Sequence, residues 1–315
     1  MDARPLKLKV LSVAAETPLI RSLVFGVNGS VPAWQAGAHV RVSLPNGQDR
    51  PYSLMALPDL PPGSLALGVL REQESAGGSR FMHALEVGDV VTATPPVNSF
   101  RLHDAETPAL LFAGGIGVTP ILSMAVELKT RRIPYRLHYA GRTRGLLAFL
   151  PQLRAICADG LSIHYDSDES RLNIAAALDP VPDEAHIYVC GPSGMIEAVR
   201  AAALARGIPG DRIHYELFKA QQPASPDKPF EVELKSTGQV VTVAADKTII
   251  QALEASGIDV LYDCRRGDCG ICQCGVIAGV PDHRDVILSD DEKASNKVMQ
   301  ICVSRARSDR LVLDL

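Results

Sequence analysis

Apolar positions in the first hundred residues come in short runs. Residues 6–13, 19–27, 39–44, 65–71 and 89–94 are rich in Val and Leu, and turn-forming clusters separate them: Asn28-Gly29, Pro45-Asn46-Gly47, Pro61-Pro62-Gly63 and Pro95-Pro96. Short strands at such spacing predict a small antiparallel barrel. From about residue 107 to 217 the pattern changes. Apolar runs at 109–113, 136–140, 161–165 and 187–190 alternate with helical periodicity, which signals βαβ units on a parallel sheet. Residues 219–228 are polar, carry Pro223 and Pro226 and have no apolar period, so they predict a linker. Beyond it, runs at 230–234 and 239–243 around Thr237-Gly238 predict a hairpin, and Thr248 with Gln251 predicts a capping box on a helix ending at Gly257. The predicted organisation is a β-barrel over 1–103, an α/β domain over 104–222, a linker over 223–228 and a small α+β domain over 229–315.

Composition narrows the classes. The chain has 315 residues, 46% hydrophobic and 22% charged, enough for two or three well-packed cores. A net charge of −4 argues against general nucleic-acid binding. Residues 1–227 carry 22 acidic and 21 basic side chains and 228–315 carry 14 and 11, so the negative balance lies in the C-terminal domain. No run approaches eighteen apolar residues, so no membrane span is expected. The start, Met1-Asp2-Ala3-Arg4-Pro5, lacks the apolar core of a signal peptide. Seven cysteines, four of them clustered, point to metal ligation in a reducing cytoplasm rather than a disulfide framework.

That cluster carries the sharpest chemistry. Cys264, Cys269, Cys272 and Cys302 follow the spacing Cys-x4-Cys-x2-Cys…Cys, the plant-type [2Fe-2S] pattern. Structural zinc usually takes two pairs of the CxxC kind, and only Cys269–Cys272 has that spacing. Cys274, two residues past the third ligand, is expected to point away along an extended segment. A cluster accepts one electron at a time, so an electron source is expected upstream. Arg50-Pro51-Tyr52-Ser53 offers a phosphate-binding guanidinium, a ring that packs on a planar cofactor and a hydroxyl donor. Gly77-Gly78-Ser79 precedes a helix-like stretch, with Ser79 expected as its N-cap. Gly114-Gly115-Ile116-Gly117-Val118-Thr119-Pro120 is a glycine-rich strand-to-helix turn, with Thr119 expected as N-cap and Pro120 as the first helical residue. Such a turn admits a pyrophosphate, although it is not the GxGxxG fingerprint. Cys190-Gly191-Pro192 ends another strand, where open α/β sheets place ligands. Asp166, just past the strand at 161–165, can accept from a ribose hydroxyl and repel a 2′-phosphate; Arg142 and Arg144 argue the other way.

Together these motifs resemble the phthalate dioxygenase reductase family over nearly the whole chain. The resemblance implies an antiparallel β-barrel flavin domain, a ferredoxin-reductase-like α/β nucleotide domain and a β-grasp [2Fe-2S] ferredoxin domain. It implies that Arg50, Tyr52, Ser53, Gly77, Gly78 and Ser79 bind flavin, with Ser53 near the ring and Arg50 and Ser79 on the phosphate. His214-Tyr215-Glu216-Leu217-Phe218 resembles the segment that closes the flavin site, with Phe218 against the ring. Gly114, Gly115, Thr119, Pro120, Cys190, Gly191, Pro192 and Asp166 would bind NADH, Thr119 and Cys190 flanking the nicotinamide. Cys264, Cys269, Cys272 and Cys302 would hold the cluster. With a single helix-terminal anion site and no second motif for an adenosine half, FMN is expected rather than FAD. The implied partner is a Rieske-type oxygenase component. A free-standing flavin or quinone reductase is the alternative among enzymes, and a non-enzymatic iron–sulfur redox module the alternative outside them.

Overall fold

The computed structural model describes residues 4–73, 77–218, 227–267 and 269–315. Residues 223–226 of the expected linker lie outside the described residues. The chain falls into two compact units, Met1–Glu216 and Leu217–Leu315.

The first unit opens with six antiparallel strands: β1 (Leu6–Ala15), β2 (Ile20–Val27), β3 (His39–Ser43), β4 (Asp49–Ser53), β5 (Ser64–Leu70) and β6 (Val90–Ala93). Their order is β4-β3-β6-β1-β2-β5. Alternation along the strands turns Leu8, Val10, Leu23, Phe25, Val40, Val42, Leu65, Leu67 and Val69 into one core. The two ends of the sheet meet where Leu54 bridges Leu67 and the Met55 N–H donates to the Ala66 carbonyl at 3.0 Å. Closure leaves no long open edge. β4 escaped the apolar pattern because its sequence is the Arg50–Ser53 motif itself; it is a strand because it pairs with β3, Val40 opposite Tyr52 and His39 opposite Ser53. Helix α1 (Gly78–Ala84) follows β5.

The rest of this unit alternates β7 (Ala109–Gly114), α2 (Val118–Arg131), β8 (Tyr135–Gly141), α3 (Leu150–Cys157), β9 (Leu161–Tyr165), α4 (Ile174–Leu178), β10 (His186–Cys190), α5 (Ser193–Ala205) and β11 (Ile213–Glu216). All five strands are parallel, in the order β11-β10-β7-β8-β9. From β7 the chain first builds outward through β8 and β9, then returns to the other side for β10 and β11. The order therefore reverses between β7 and β10, which puts the crevice of an open α/β sheet at their carboxyl ends. Barrel and sheet are tied by Ser123, whose hydroxyl donates to the Leu54 carbonyl (2.8 Å) and accepts from the Ala56 N–H (2.9 Å).

The second unit holds β12 (Phe230–Leu234), β13 (Val240–Val243), α6 (Ile249–Ala255), β14 (Gln273–Ala278), β15 (Pro281–Asp282), α7 (Asp290–Ser295), β16 (Val298–Gln300), β17 (Arg305–Ala306) and β18 (Arg310–Leu313). The main sheet runs β13-β12-β18-β14-β16, with β12 and β18 parallel. Helix α6 lays Ile249, Ile250 and Leu253 into the core with Val232, Leu311 and Leu313. Its capping box is complete: Thr248 Oγ1 accepts from the Gln251 N–H (3.2 Å), and Gln251 Oε1 from the Thr248 N–H (2.9 Å). The start of the unit is pinned by Arg284, which donates to both carboxylate oxygens of Asp227 at 2.9 and 2.5 Å. Buried Arg305 lies over the Phe230 ring, 4.9 Å from its centre, and donates to the Lys228 and Ala244 carbonyls.

Candidate metal centre and nucleotide site

The loop between α6 and β14 brings three cysteines together, and the turn after β16 supplies the fourth. Cys264, Cys272 and Cys302 are each 3% exposed, and Cys269 is half-buried. The Cys264 thiol is the first influence on Cys269, and the Cys264 and Cys272 thiols are the first influences on Cys302, so the four sulfurs lie near one another. Among the described residues no set of three or more His, Cys, Asp or Glu side chains is arranged to hold a metal ion. The four thiols nonetheless act on one another, and four thiolates are the donor set of a plant-type [2Fe-2S] cluster. Two glycines shape the loop in backbone conformations that L side chains resist: Gly267 at φ +81° and Gly270 at φ +76°. A Cβ on Gly267 would stand 2.6 Å from Val303 and 3.0 Å from the Asp285 backbone.

Electrostatics separates the thiols. Contact with Cys264, then burial, pushes the Cys269 thiol far up. Contact with Cys264 and Cys272, then burial, does the same to Cys302, while a hydrogen bond from Cys302 pulls Cys272 down. Protons crowded among four sulfurs are what a cation in their midst displaces. The donor set fits a [2Fe-2S] cluster. The Arg266 N–H also points at Cys264 Sγ, at 3.3 Å. Cys274 lies in β14, and its Sγ donates to the Gly275 and Asp314 carbonyls. Burial pushes it up to about 11, so it stays a neutral thiol.

In the first unit the Arg50–Ser53 motif and the Gly77–Ser79 turn come together. A Cβ on Gly78 would lie 2.8 Å from Arg50 Cγ and 3.4 Å from the Tyr52 hydroxyl, so only a bare glycine lets the turn close over β4. Burial pushes the Tyr52 phenol well up, against the lowering pull of Arg50, and Ser53 is 5% exposed. Ser79 does not cap the helix as expected. The helix begins at Gly78 with Gly77 as N-cap and no side-chain cap bond, and Ser79 Oγ instead accepts from the Glu72 N–H at 3.1 Å. Such a cradle, bare backbone beside a guanidinium and a ring, fits a flavin phosphate.

The two glycine-bearing loops at the switch point also meet. A Cβ on Gly117 would lie 2.2 Å from the Cys190 carbonyl oxygen, and one on Gly114 would lie 2.6 Å from Pro192 and 3.1 Å from Gly191. Gly115 takes φ +53°. Thr119 is not the N-cap either. Gly117 takes that position, and a short 3-10 turn over Gly115–Gly117 precedes the helix. Pro120 accordingly falls two residues inside it. Thr119 is 1% exposed, and its hydroxyl donates to the Ile116 carbonyl at 3.0 Å. A Cβ on Gly68 of β5 would touch Thr119 Cγ2 at 2.7 Å, so the barrel and the nucleotide loop press together here. Cys190 is fully buried at the end of β10. Gly114 and Gly191 pack on each other and hold the two loops together, and Gly115 leaves open backbone at the start of the turn, which fits a pyrophosphate.

At the outer end of the sheet Asp166 is exposed, its N–H on the Gly141 carbonyl at 3.0 Å. The carboxylate that meets Arg144 is Asp168, at 3.8 Å, which sequence reading missed. Hydrogen bonds from the Ser170 hydroxyl and N–H hold its pKa down. Arg144 in turn lies over the Tyr165 ring at 5.1 Å. Residues 214–216, read as the start of a flavin-closing segment, lie in β11 at the sheet edge; Phe218 is half-buried and falls in the second unit.

The comparisons agree with this layout. Residues 232–307 match the family model described as a 2Fe-2S iron-sulfur cluster binding domain. A vanillate O-demethylase oxidoreductase from Pseudomonas sp. (strain HR199 / DSM 7063) is 42% identical over 314 residues, covering 98% of both chains. The crystal structure of phthalate dioxygenase reductase, described as a modular structure for electron transfer from pyridine nucleotides to [2Fe-2S], superposes with a TM-score of 0.76 at 32% identity, over 99% of this chain and 98% of that one. An intact type IV self-sufficient cytochrome P450 monooxygenase matches with a TM-score of 0.75 at 34% identity; this chain spans 99% of its own length there and 41% of that protein. A closed barrel, a switch-point crevice and a segment matching a 2Fe-2S cluster binding domain define an iron–sulfur oxidoreductase. The chain belongs to the phthalate dioxygenase reductase family. Among the described residues no helix is long and apolar enough to cross a membrane.

Proposed function

We propose that the chain is the NADH-dependent reductase component of a Rieske-type oxygenase system in the cytoplasm, with FMN and one [2Fe-2S] cluster. The observation that carries this reading is the gathering of Cys264, Cys269, Cys272 and Cys302 in the segment that matches a cluster-binding domain, in one chain with a switch-point crevice. The relatives support the partner: one is named for vanillate O-demethylase, another for phthalate dioxygenase, and a third carries a matching stretch within a monooxygenase chain. The working division is flavin barrel 1–103, nucleotide domain 104–222, linker 223–228 and ferredoxin domain 229–315.

Bound flavin supplies the change from a two-electron hydride to single electrons. The protein's residues bind and orient. Arg50 pairs with the flavin phosphate, helped by Ser79 and the bare backbone of Gly77 and Gly78. Tyr52 packs against the flavin, and Ser53, already buried, offers its hydroxyl to the ring. Gly114, Gly115, Pro120, Gly191 and Pro192 line the pyrophosphate turn; Thr119 and Cys190 flank the nicotinamide. Asp166 accepts from the adenine ribose, and Asp168 keeps Arg144 occupied. No side chain is required as a general acid or base. The four cysteines hold the outlet.

The test is a purified, anaerobic sample. Its spectrum should show flavin plus cluster bands. Heat-released flavin should co-migrate with FMN, and stoichiometric FAD would overturn that part. NADH should exceed NADPH in kcat/KM; the reverse order would mean that Arg144 and Arg142 outweigh the two aspartates. A colourless protein would sink the whole reading.

A further inference from the structure

Gln300 ends β16, two residues before Cys302, and is fully buried in a core that also contains Met299, Ile301, Leu311 and Leu313. A glutamine there costs desolvation unless both ends of its amide are bonded. Both are. Nε2 donates to Gln273 Oε1 at 3.0 Å, and Oε1 lies 3.5 Å from Cys272 Sγ. The β14–β16 register places Gln273, the residue after Cys272, directly opposite Gln300, so strand pairing itself holds the amide against the sulfur.

We propose that Gln300 donates a hydrogen bond to the Cys272 sulfur and thereby sets the reduction potential of the cluster. A cluster-ligating cysteine is a thiolate with no proton to give. An amide oxygen facing it would oppose lone pair to negative charge. The two ends of an amide are nearly the same size, so a half turn about the last side-chain bond presents Nε2–H to the sulfur in the same space. Gln273 is exposed, so its own amide can turn in step and donate to Gln300 Oε1. The relay then runs from solvent through Gln273 and Gln300 to Cys272. An N–H on a ligand sulfur stabilises the more electron-rich form, so it raises the potential and favours reduction. Gln300 is a positioning residue; it touches the ligand and not the iron.

The inference rests on Cys272 being a ligand, as proposed above. Gln300→Met keeps the volume and removes the N–H; Gln300→Glu keeps the shape and replaces the donor with a carboxylate. Poised against redox dyes at one fixed potential, Gln300→Met should lower the reduced-to-oxidised cluster ratio roughly tenfold, the size of one hydrogen bond to a charged group. Gln300→Glu should lower it further. Hyperfine spectroscopy of the reduced cluster should lose one exchangeable-proton coupling in Gln300→Met. An unchanged ratio, a shift the other way or an unchanged coupling would overturn the proposal. So would loss of the cluster in both variants, which would make Gln300 a part of the cage and not a tuner. Failure of the ligand assignment shows separately, as a Cys272→Ser protein with the wild-type visible spectrum.

Discussion

Five cysteines lie between residues 264 and 302, and the structure treats them unequally. Four share contacts among themselves, while Cys274 Sγ turns to the Asp314 carbonyl across the strand pair. Serine at Cys264, Cys269, Cys272 or Cys302 should therefore bleach the cluster's visible bands or shift its potential strongly. Serine at Cys274 should leave the bands intact and cost about 1–2 kcal/mol at most, the scale of a buried hydroxyl with a carbonyl partner. Absorption and denaturant unfolding of the five variants check both statements; bleaching in Cys274→Ser alone would reverse the ligand set. Side-chain spacing made this group legible because Cys264, Cys269 and Cys272 lie within one short loop. Asp168 and Gln300 were not legible. Asp168 gains meaning only from Arg144, twenty-four positions earlier, and Gln300 only from a strand register that no local pattern announces.

Elements were read best where one physical rule dominated. Strand β9 over Leu161–Tyr165 and the capping box at Thr248 and Gln251 match expectation, since apolar alternation and reciprocal caps are local. The starts of α1 and α2 do not: Gly77 and Gly117 hold the N-cap positions, Gly78 meets the Arg50 and Tyr52 side chains, and Gly117 meets the Cys190 backbone. Gly117 shows the point. Its φ is −60°, so alanine fits its conformation, but the added Cβ would meet the Cys190 carbonyl at 2.2 Å. Gly115 has open space but a φ of +53°. Gly117→Ala should push the two loops apart, cost about 1–3 kcal/mol and raise the KM for NADH. Gly115→Ala should cost about 1–2 kcal/mol of strain with a smaller effect on KM. Thermal unfolding and steady-state kinetics of the pair test it, and an unaffected Gly117→Ala protein would refute the contact.

At the scale of the molecule, histidines make the first unit sensitive to acid. His186 stacks on His103 with ring centres 3.7 Å apart and shares a 2.9 Å hydrogen bond with His214; His138 shares another with His164. Burial first, then neighbouring histidines, pushes His138, His186 and His214 from 6.5 down to about 4. The folded state holds them neutral, while an unfolded chain protonates them below about 6.5. Stability is therefore full above pH 6.5, falls as the pH drops towards 4 and levels off below it. After discounting for partial exposure each contributes on the order of 1 kcal/mol. The melting temperature should drop between pH 7.5 and 5, less so in His138→Gln; a flat profile would contradict the assignment. The two compact units also make separate predictions, because each has its own core. A chain ending at Gln222 should keep flavin and reduce ferricyanide with NADH, yet fail to reduce cytochrome c efficiently. Loss of flavin from it would show that residues after 222 complete the flavin site.

Sequence alone determined the alternation that builds barrel, parallel sheet and ferredoxin core, and the spacing of the cysteines in the segment that matches a cluster-binding domain. These depend on periodicity and on spacing along one stretch of chain, which is where local physics acts. Tertiary structure alone decided that β4 is a strand, that glycines and not hydroxyls open α1 and α2, that Asp168 is the carboxylate facing Arg144, and that Gln300 reaches Cys272. Each of those is a contact between residues far apart in the chain, and its energy exists only once the sheet order and register have brought them within bonding distance.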